Sequence, residues 1–270
     1  MKIIIFTYDR YDSISTSKYF KDVEHIVLCH SEEDKEKFIA GGNIYGDLIA
    51  TKQPKGLSNN RNFALDMLKE GEWAVFLVDD LIEITMLNEY KKYKNNIGCD
   101  FNSVKYFRKE FKKPCTANEF LNICEETINH ADQKGFSLCG FSLTDNPLFR
   151  DKKYSYWSLS DGRCWAVKKT HLRFDENVQL IDDTYFTALN LKNFGGVVNN
   201  NWLLPNCKRY TAGAFGSIKS RMEQKIKECK YLTDKFPEFI TYADKKGWKP
   251  FSHVKIRQNR TYNKNQTNLF

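Results

Sequence analysis

Trp73-Ala-Val-Phe-Leu-Val-Asp79-Asp80 constrains this chain more than any other stretch: an apolar run that stops at two adjacent carboxylates. The run is rich in β-branched and aromatic residues and reads as a strand buried on both faces, as in a parallel sheet between helices. Ionised acids cannot continue inside the same core. They therefore mark the carboxyl end of the strand, where open α/β sheets bind ligands. Like charges held side by side repel unless a cation, a proton or solvent relieves them. A divalent metal carrying a phosphorylated substrate would do so; simple hydration of an acidic turn is the plainer alternative.

The flanking sequence supplies the rest of such a sheet. Residues 3–7, 25–30 and 47–51 are strand-like runs preceding Trp73. Between the 47–51 run and Trp73, Gly56-Leu-Ser-Asn-Asn-Arg-Asn opens a helix, with Ser58 as its N-cap, Leu65 and Leu68 on its apolar face and Gly71 at its end. Strand and helix in short alternation predict an α/β fold with a mixed, mostly parallel sheet flanked by helices. Residues 90–114 have no clean period and read as a loop over the sheet. Thr116-Ala-Asn-Glu119 is a capping box for a helix carrying Phe120, Ile123, Cys124, Ile128 and Ala131, stopped at Gly135. Residues 136–143 and 162–168 read as strands of mixed direction, 182–191 as a helix with acids in its first turn, and 195–198 as a last short strand. An amphipathic helix over about 217–236, a second short helix to Lys246 and a polar tail follow. Residues 1–205 are expected to form one catalytic unit, with 206–270 as a basic helical extension packed on it.

Charge is unevenly placed. Residues 201–270 hold 15 Lys/Arg against 5 Asp/Glu, a surplus of +10, so the net +8 of the chain leaves −2 on the first 200 residues. Aromatics such as Tyr210, Phe215, Tyr242 and Trp248 are interleaved with those cations, a pattern that suits a polyanion such as nucleic acid or, more simply, a solvated helix face and tail. No apolar run reaches the roughly 20 residues that a membrane span needs. Residues 1–7 are too short for a signal peptide and read as a strand. Eight cysteines lie scattered without a Cys-x-x-Cys pair, so reduced thiols in a cytoplasm are expected.

Several polar groups accompany the acidic pair. Asp182-Asp183 opens a helix, and Asp161 precedes a glycine. Arg61 and Asn62 follow a flexible turn at a helix start, a ready place for phosphate. His253 lies in the basic end. The aromatic residues Tyr154, Tyr156, Trp157 and Trp165 are candidates for stacking on a substrate or for the core. The order is Thr7-Tyr-Asp-Arg10, Gly56-Leu-Ser-x-x-Arg61-Asn62, Val78-Asp79-Asp80, Gly162-x-x-Trp165-Ala-Val, then Ile181-Asp182-Asp183-x-Tyr-Phe186. This succession resembles nucleotide-sugar-dependent glycosyltransferases of the GT-A fold. The stretch from Lys55 to Asn62 and the two Asp-Asp pairs are most similar to the TET-associated glycosyltransferases of bacteriophage DNA hypermodification.

The resemblance implies a set of roles. Thr7 and Tyr8 would cradle the nucleoside of a donor such as a UDP-sugar, with Asp9 or Arg10 nearby and Ser58, Arg61 and Asn62 also on the donor side. Asp80, with Asp79 beside it, would bind Mn²⁺ or Mg²⁺, and His253 would be a third ligand. Asp182 or Asp183 would face the acceptor hydroxyl as general base. The acceptor implied is a hydroxylated base in phage DNA, in the host cytoplasm. The usual Asp-x-Asp motif is here Val78-Asp79-Asp80-Leu81; with one acid missing, Glu83 or water would complete the ligand set, or metal dependence is weakened. Other readings are a GT-A enzyme acting on a glycan, lipid or protein, a nucleotidyltransferase using Asp79 and Asp80, and a nucleic-acid-binding module without chemistry.

Overall fold

Apolar side chains along the first strand alternate between two separate cores, and that alternation sets the architecture. The computed structural model of the chain describes residues 1–11, 14–87, 112–142, 144, 152–207, 218–243 and 253–257. The elements run β1 (Lys2–Phe6), α1 (Ser15–Tyr19), β2 (Ile26–Cys29), α2 (Glu32–Gly41), β3 (Asp47–Ala50), α3 (Leu57–Asp66), β4 (Trp73–Val78), β5 (Leu81–Leu87) and β6 (Lys112–Pro114). They continue with α4 (Ala117–Gln133), β7 (Leu138–Phe141), β8 (Tyr154–Ser155), β9 (Cys164–Lys168), α5 (Asp182–Phe194), β10 (Val198–Asn200), β11 (Leu203–Cys207), α6 (Ile218–Lys235), β12 (Ile240–Ala243) and β13 (His253–Ile256).

Ile3, Ile5, Val75 and Leu77 pack on one face of the large sheet with Phe20, Phe38 of α2 and Phe120 and Cys124 of α4. Ile4, Phe6, Ala74 and Phe76 pack on the other with Leu65 of α3, Phe186 of α5 and Leu232 of α6. A strand's side chains point to opposite faces in turn, so a sheet apolar on both faces requires a helical layer on each side. Local signals set the helix ends. Ser31 accepts from the backbone N–H of Asp34 at the start of α2, and the Thr116–Glu119 capping box is fully formed at the start of α4.

Eight strands form the large sheet in the order β3-β2-β1-β4-β9-β7-β10-β8. Strands β1 to β4 are mutually parallel, β9 runs antiparallel to both its neighbours, β10 is parallel to β7, and β8 is antiparallel to β10. This is the mixed, mostly parallel sheet that the sequence predicts. The chain leaves β1 toward β2 and β3 on one side and returns to β4 on the other. The carboxyl ends of β1 and β4 therefore border a crevice at a topological switch point. Because β9 is antiparallel, pairing Leu77 with Cys164, its amino end lies at the carboxyl end of β4. A second sheet, β11-β5-β6, begins at Leu81, directly after the acids, so Asp79 and Asp80 form the corner between the two sheets.

Some expectations are corrected. Ile240–Ala243 does not form a second short helix; it is a strand paired with β13. Its apolar Ile240 enters the core, as does Cys229 of α6, so the C-terminal segment is built into the second helical layer. Strands β5, β6, β8 and β11 were not expected. The loop read over 90–114 lies mostly outside the described residues, and its last three residues form β6. Helix α3 starts at Leu57 with Gly56 at the N-cap position, φ 151°, and no side-chain cap, so Ser58 does not cap it. The seven described cysteines are buried, and no disulfide joins any two of them. Among the described residues no helix is long and apolar enough to cross a membrane.

Candidate functional site

Four segments converge on the crevice: the loop after β1, the Asp79-Asp80 corner after β4, the turn before β9 and the start of α5. Asp79 ties the first two together. Its Oδ2 accepts from the Thr7 hydroxyl at 2.8 Å and from the Tyr8 N–H at 3.4 Å, while Oδ1 lies 3.1 Å from Arg10. Arg10 also reaches Asp80 Oδ2 at 2.8 Å, so one guanidinium serves both carboxylates. The acids are 7% and 9% exposed, sunk into the rim rather than extended into solvent. Thr16, fully buried, clasps the corner from α1. Its hydroxyl donates to Val78 O at 2.7 Å and accepts from Leu81 N at 3.0 Å, and its N–H donates to Asp79 O at 3.2 Å.

The other half of the rim is built around Gly162. A Cβ there would come within 2.9 Å of the Arg61 guanidinium and 3.2 Å of Asp183 Cβ, so any side chain would force the buried Arg61 to shift. On one side of this glycine, Asp161 accepts from the Arg163 N–H at 2.9 Å and from its Nε at 2.7 Å. The Arg163 carbonyl accepts from Val78 N at 3.1 Å, joining this turn to the strand carrying the acidic pair. On the other side, Arg61 donates to the Gly162 carbonyl at 2.8 Å and to Asp182 Oδ2. Its guanidinium also stacks 4.5 Å from the centre of the Trp165 ring.

The two acids of α5 thus have different surroundings. Asp182 is buried with both oxygens engaged, Oδ2 by Arg61 and Oδ1 by the Asp183 N–H at 3.1 Å. Asp183 is partly exposed; its Oδ1 accepts from Thr184 N at 2.6 Å, and among the described residues no hydrogen bond engages Oδ2. The corner repeats this division. Asp79 is held through both oxygens, whereas Asp80 uses Oδ2 and has no partner for Oδ1 among the described residues.

Other expected donor-side residues are placed as follows. Tyr8 is half-buried at the rim with Lys55 Nζ 4.7 Å above its ring. The Ser58 hydroxyl donates to Val178 O at 2.6 Å, and Asn62 exchanges two hydrogen bonds with the backbone of Phe174, at 3.0 and 2.9 Å. Both fasten α3 to the loop that leads into α5. Tyr156 and Trp165 are core residues, Tyr154 stacks on His130, and Trp157 donates to Arg257 O. Glu83 is exposed on β5 and accepts from Asn206 at 2.9 Å. The backbone of His253 pairs with Ala243 in the C-terminal hairpin, and its side chain lies outside the described residues.

Among the described residues no group of three or more His, Cys, Asp or Glu is arranged to hold a metal. A divalent cation here would rest on Asp80 and Asp79, with the remaining oxygens from substrate and water, a pattern typical of Mg²⁺. The open Oδ1 of Asp80 fits that requirement, and Arg10 is the cation it would share the pair with. Sequence reading missed Arg163 and Thr16. It also missed Cys207, whose buried thiol is pushed up to about 12 by burial and then by Asp80. Arg163 fills an unspecified position of the Gly162-x-x-Trp165 motif, whereas Thr16 and Cys207 lie outside the motifs; the pairing of β9 and β11 and the packing of α1 against the corner bring them to the rim.

Burial pushes the Asp79 carboxyl up to about 6 although Arg10 and Thr7 oppose it. Burial, with Asp161 and Asp182 beside it, pushes Asp183 up to about 7. An unfolded Asp titrates near 3.9. Between about pH 4 and pH 7 the unfolded chain has therefore already lost protons that the folded chain keeps. Folded stability from these groups is greatest below that window and falls as pH rises through it. Asp183→Asn removes one such group. The melting temperature of the variant relative to the unsubstituted protein is expected to climb from pH 4 to pH 7 and level off above. A difference that does not change with pH would contradict the assignment.

No family model matches this chain, and no curated protein does. Among solved structures, S. aureus TarS 1-349 aligns over 87% of this chain at 13% identity and a TM-score of 0.40. The glycosyltransferase GlyE of Streptococcus pneumoniae TIGR4 aligns over 49% at 15% identity and 0.21, and mannose-6-phosphate isomerase from Helicobacter pylori over 95% at 11% and 0.29. The chain spans 66% of the length of the first, 38% of the second and 87% of the third. Likenesses this distant carry no functional weight, which rests instead on the site itself.

Proposed function

We propose that this crevice transfers a sugar from a nucleoside-diphosphate donor to a hydroxyl acceptor, with Asp183 as general base and the Asp79–Asp80 corner facing the diphosphate. One observation supports this best: two carboxylates on the same rim, Asp80 and Asp183, each keep an oxygen without a partner among the described residues, while their neighbours Asp79 and Asp182 are fully engaged. Each pair has a structural member and an available one. Asp183 takes the acceptor's proton as the acceptor oxygen attacks the anomeric carbon, and the bond to the diphosphate oxygen breaks. A carboxyl that titrates near neutrality suits that task better than an ordinary aspartate. Negative charge grows on the departing diphosphate, and Arg10, paired with Asp80, and Arg163, paired with Asp161, are cations on the same rim. A divalent cation on Asp80, when bound, would add Lewis-acid stabilisation there. The GT-A resemblance is supported by the parallel strands β1 to β4 with acids at their switch point.

For the acceptor, the +10 surplus over residues 201–270 favours a polyanion, and the narrower sequence resemblance makes it a hydroxylated base in DNA. A base inside a duplex must leave the stack to react. The test is a panel of UDP-sugars with and without Mn²⁺, offered with hydroxymethylcytosine DNA, unmodified DNA or an oligosaccharide, and read by UDP release and acceptor mass. UDP release with a hexose or pentose added only to hydroxymethylated DNA, in complexes weakened by salt, is the expected result. Addition to the oligosaccharide would move the acceptor to glycans. Pyrophosphate released from a nucleoside triphosphate would replace sugar transfer with nucleotidyl transfer.

A further inference from the structure

Helix α5 starts without a side-chain cap of its own: Ile181 occupies the N-cap position with φ −134° and ψ 35°, and Asp182 and Asp183 follow at once. Such a start leaves backbone N–H groups in need of acceptors. Two are met locally, Asp183 N by Asp182 Oδ1 and Thr184 N by Asp183 Oδ1, and that of Ile181, with the two before it, is met from far along the chain. Glu228, in α6, is only 4% exposed, and its carboxylate enters the segment just before α5. Oε1 accepts from Gln179 N at 3.0 Å, and Oε2 from Leu180 N at 2.9 Å and Ile181 N at 3.2 Å. Gln224, one turn earlier on α6, donates to Oε1 at 2.8 Å and orients the carboxylate. Three consecutive backbone donors converging on one carboxylate form an anion nest, here filled by the protein itself.

We infer that Glu228 is a positioning residue for Asp183: the C-terminal helix fixes the direction in which α5 begins and thereby where the carboxylate aims. This rests on the glycosyl-transfer reading for its chemistry but not for its geometry. Among the described residues the segment is also fastened from the α3 side, through Ser58 to Val178 O and from Ser58 N to Gln179 Oε1 at 3.4 Å. A second tether from α6, Tyr231 and Lys235 to Asp175 at 2.6 and 2.7 Å, lies earlier in the same loop; Lys235 also sits 5.0 Å from the centre of the Tyr185 ring, but neither side chain bonds the backbone of residues 179–181. The Glu228 tether aims the acid; the Tyr231 hydroxyl only closes the loop.

Glu228→Gln keeps size and one acceptor oxygen but turns an amide NH₂ toward backbone donors. In the full-length variant, hydrogen–deuterium exchange over 178–185 is expected to quicken about tenfold, with the sheet unaffected. Where UDP-sugar turnover is measured, kcat should fall about 100-fold while UDP-sugar affinity stays within about twofold, because a misaimed base impairs reaction rather than donor binding. Tyr231→Phe, which loosens α6 from the same loop, should leave kcat within about twofold. Unchanged exchange over 178–185, or equal losses of kcat and donor affinity, overturns the inference. If the unsubstituted protein turns over no nucleotide-sugar while exchange still quickens in the variant, the latch stands and the transfer chemistry falls.

Discussion

Asp183→Asn is expected to lower sugar transfer about 1,000-fold at pH 7.5 without loosening the fold. The carboxylate has one oxygen spent on the Thr184 N–H and one without a partner among the described residues. An amide can keep the first contact and cannot accept a proton with the second. General-base catalysis contributes about 100- to 10,000-fold, which sets the scale. Asp182→Asn, one residue away, is expected to fail differently, because it withdraws the charge that Arg61 needs and disturbs the helix start. The measurements are initial rates of UDP release at saturating donor beside thermal melts of the same samples. Turnover by the Asp183 variant within tenfold of the unsubstituted protein would remove Asp183 from the chemistry. In the active protein, the rate is expected to rise with pH through about 7 and then level, since the base works only when deprotonated.

Arg61→Met is expected to cause the largest loss of stability of any single substitution at the site. Arg61 is 2% exposed, pairs with Asp182, donates to the Gly162 carbonyl and lies on the Trp165 ring. Methionine fills much of the same apolar volume, so the deficit is mainly electrostatic: a buried Asp182 without its counter-charge. Breaking a buried pair from one side costs about 3–5 kcal/mol. At about 2–4 °C per kcal/mol for a chain approaching this size, melting should fall by on the order of 10 °C. Adding Asp182→Asn should recover part of that loss, because the stranded charge goes with it. A single variant melting within two degrees of the parent, or a double variant worse than the sum of the singles, would show that the pair is not a unit.

The parts legible in the sequence are those encoded locally. The Trp73–Val78 run, the Thr116–Glu119 box and the alternating residues of β1 each carry their own signal, so the parallel half of the sheet and helix α4 follow from them. Asp79, Asp80 and Asp183 were readable because an acid that closes an apolar run or opens a helix stands out. What local pattern cannot encode is pairing between distant segments. Arg61 reads as a surface phosphate ligand, yet it is buried because Asp182 meets it from 121 residues away. Ser58 reads as a helix cap, yet its hydroxyl is drawn to Val178. The hairpin of β12 and β13 was missed for a related reason: Ile240–Ala243 is too short for a period, and its partner begins only at His253.

Thr16 gives the corner a property of its own. One hydroxyl grips the chain on both sides of the acidic pair, and one amide holds the carbonyl between them. The bend joining the two sheets is thus frozen when the chain folds, not when a guest arrives. A visiting molecule meets a vestibule already shaped, and little of its affinity is spent on quieting a restless loop.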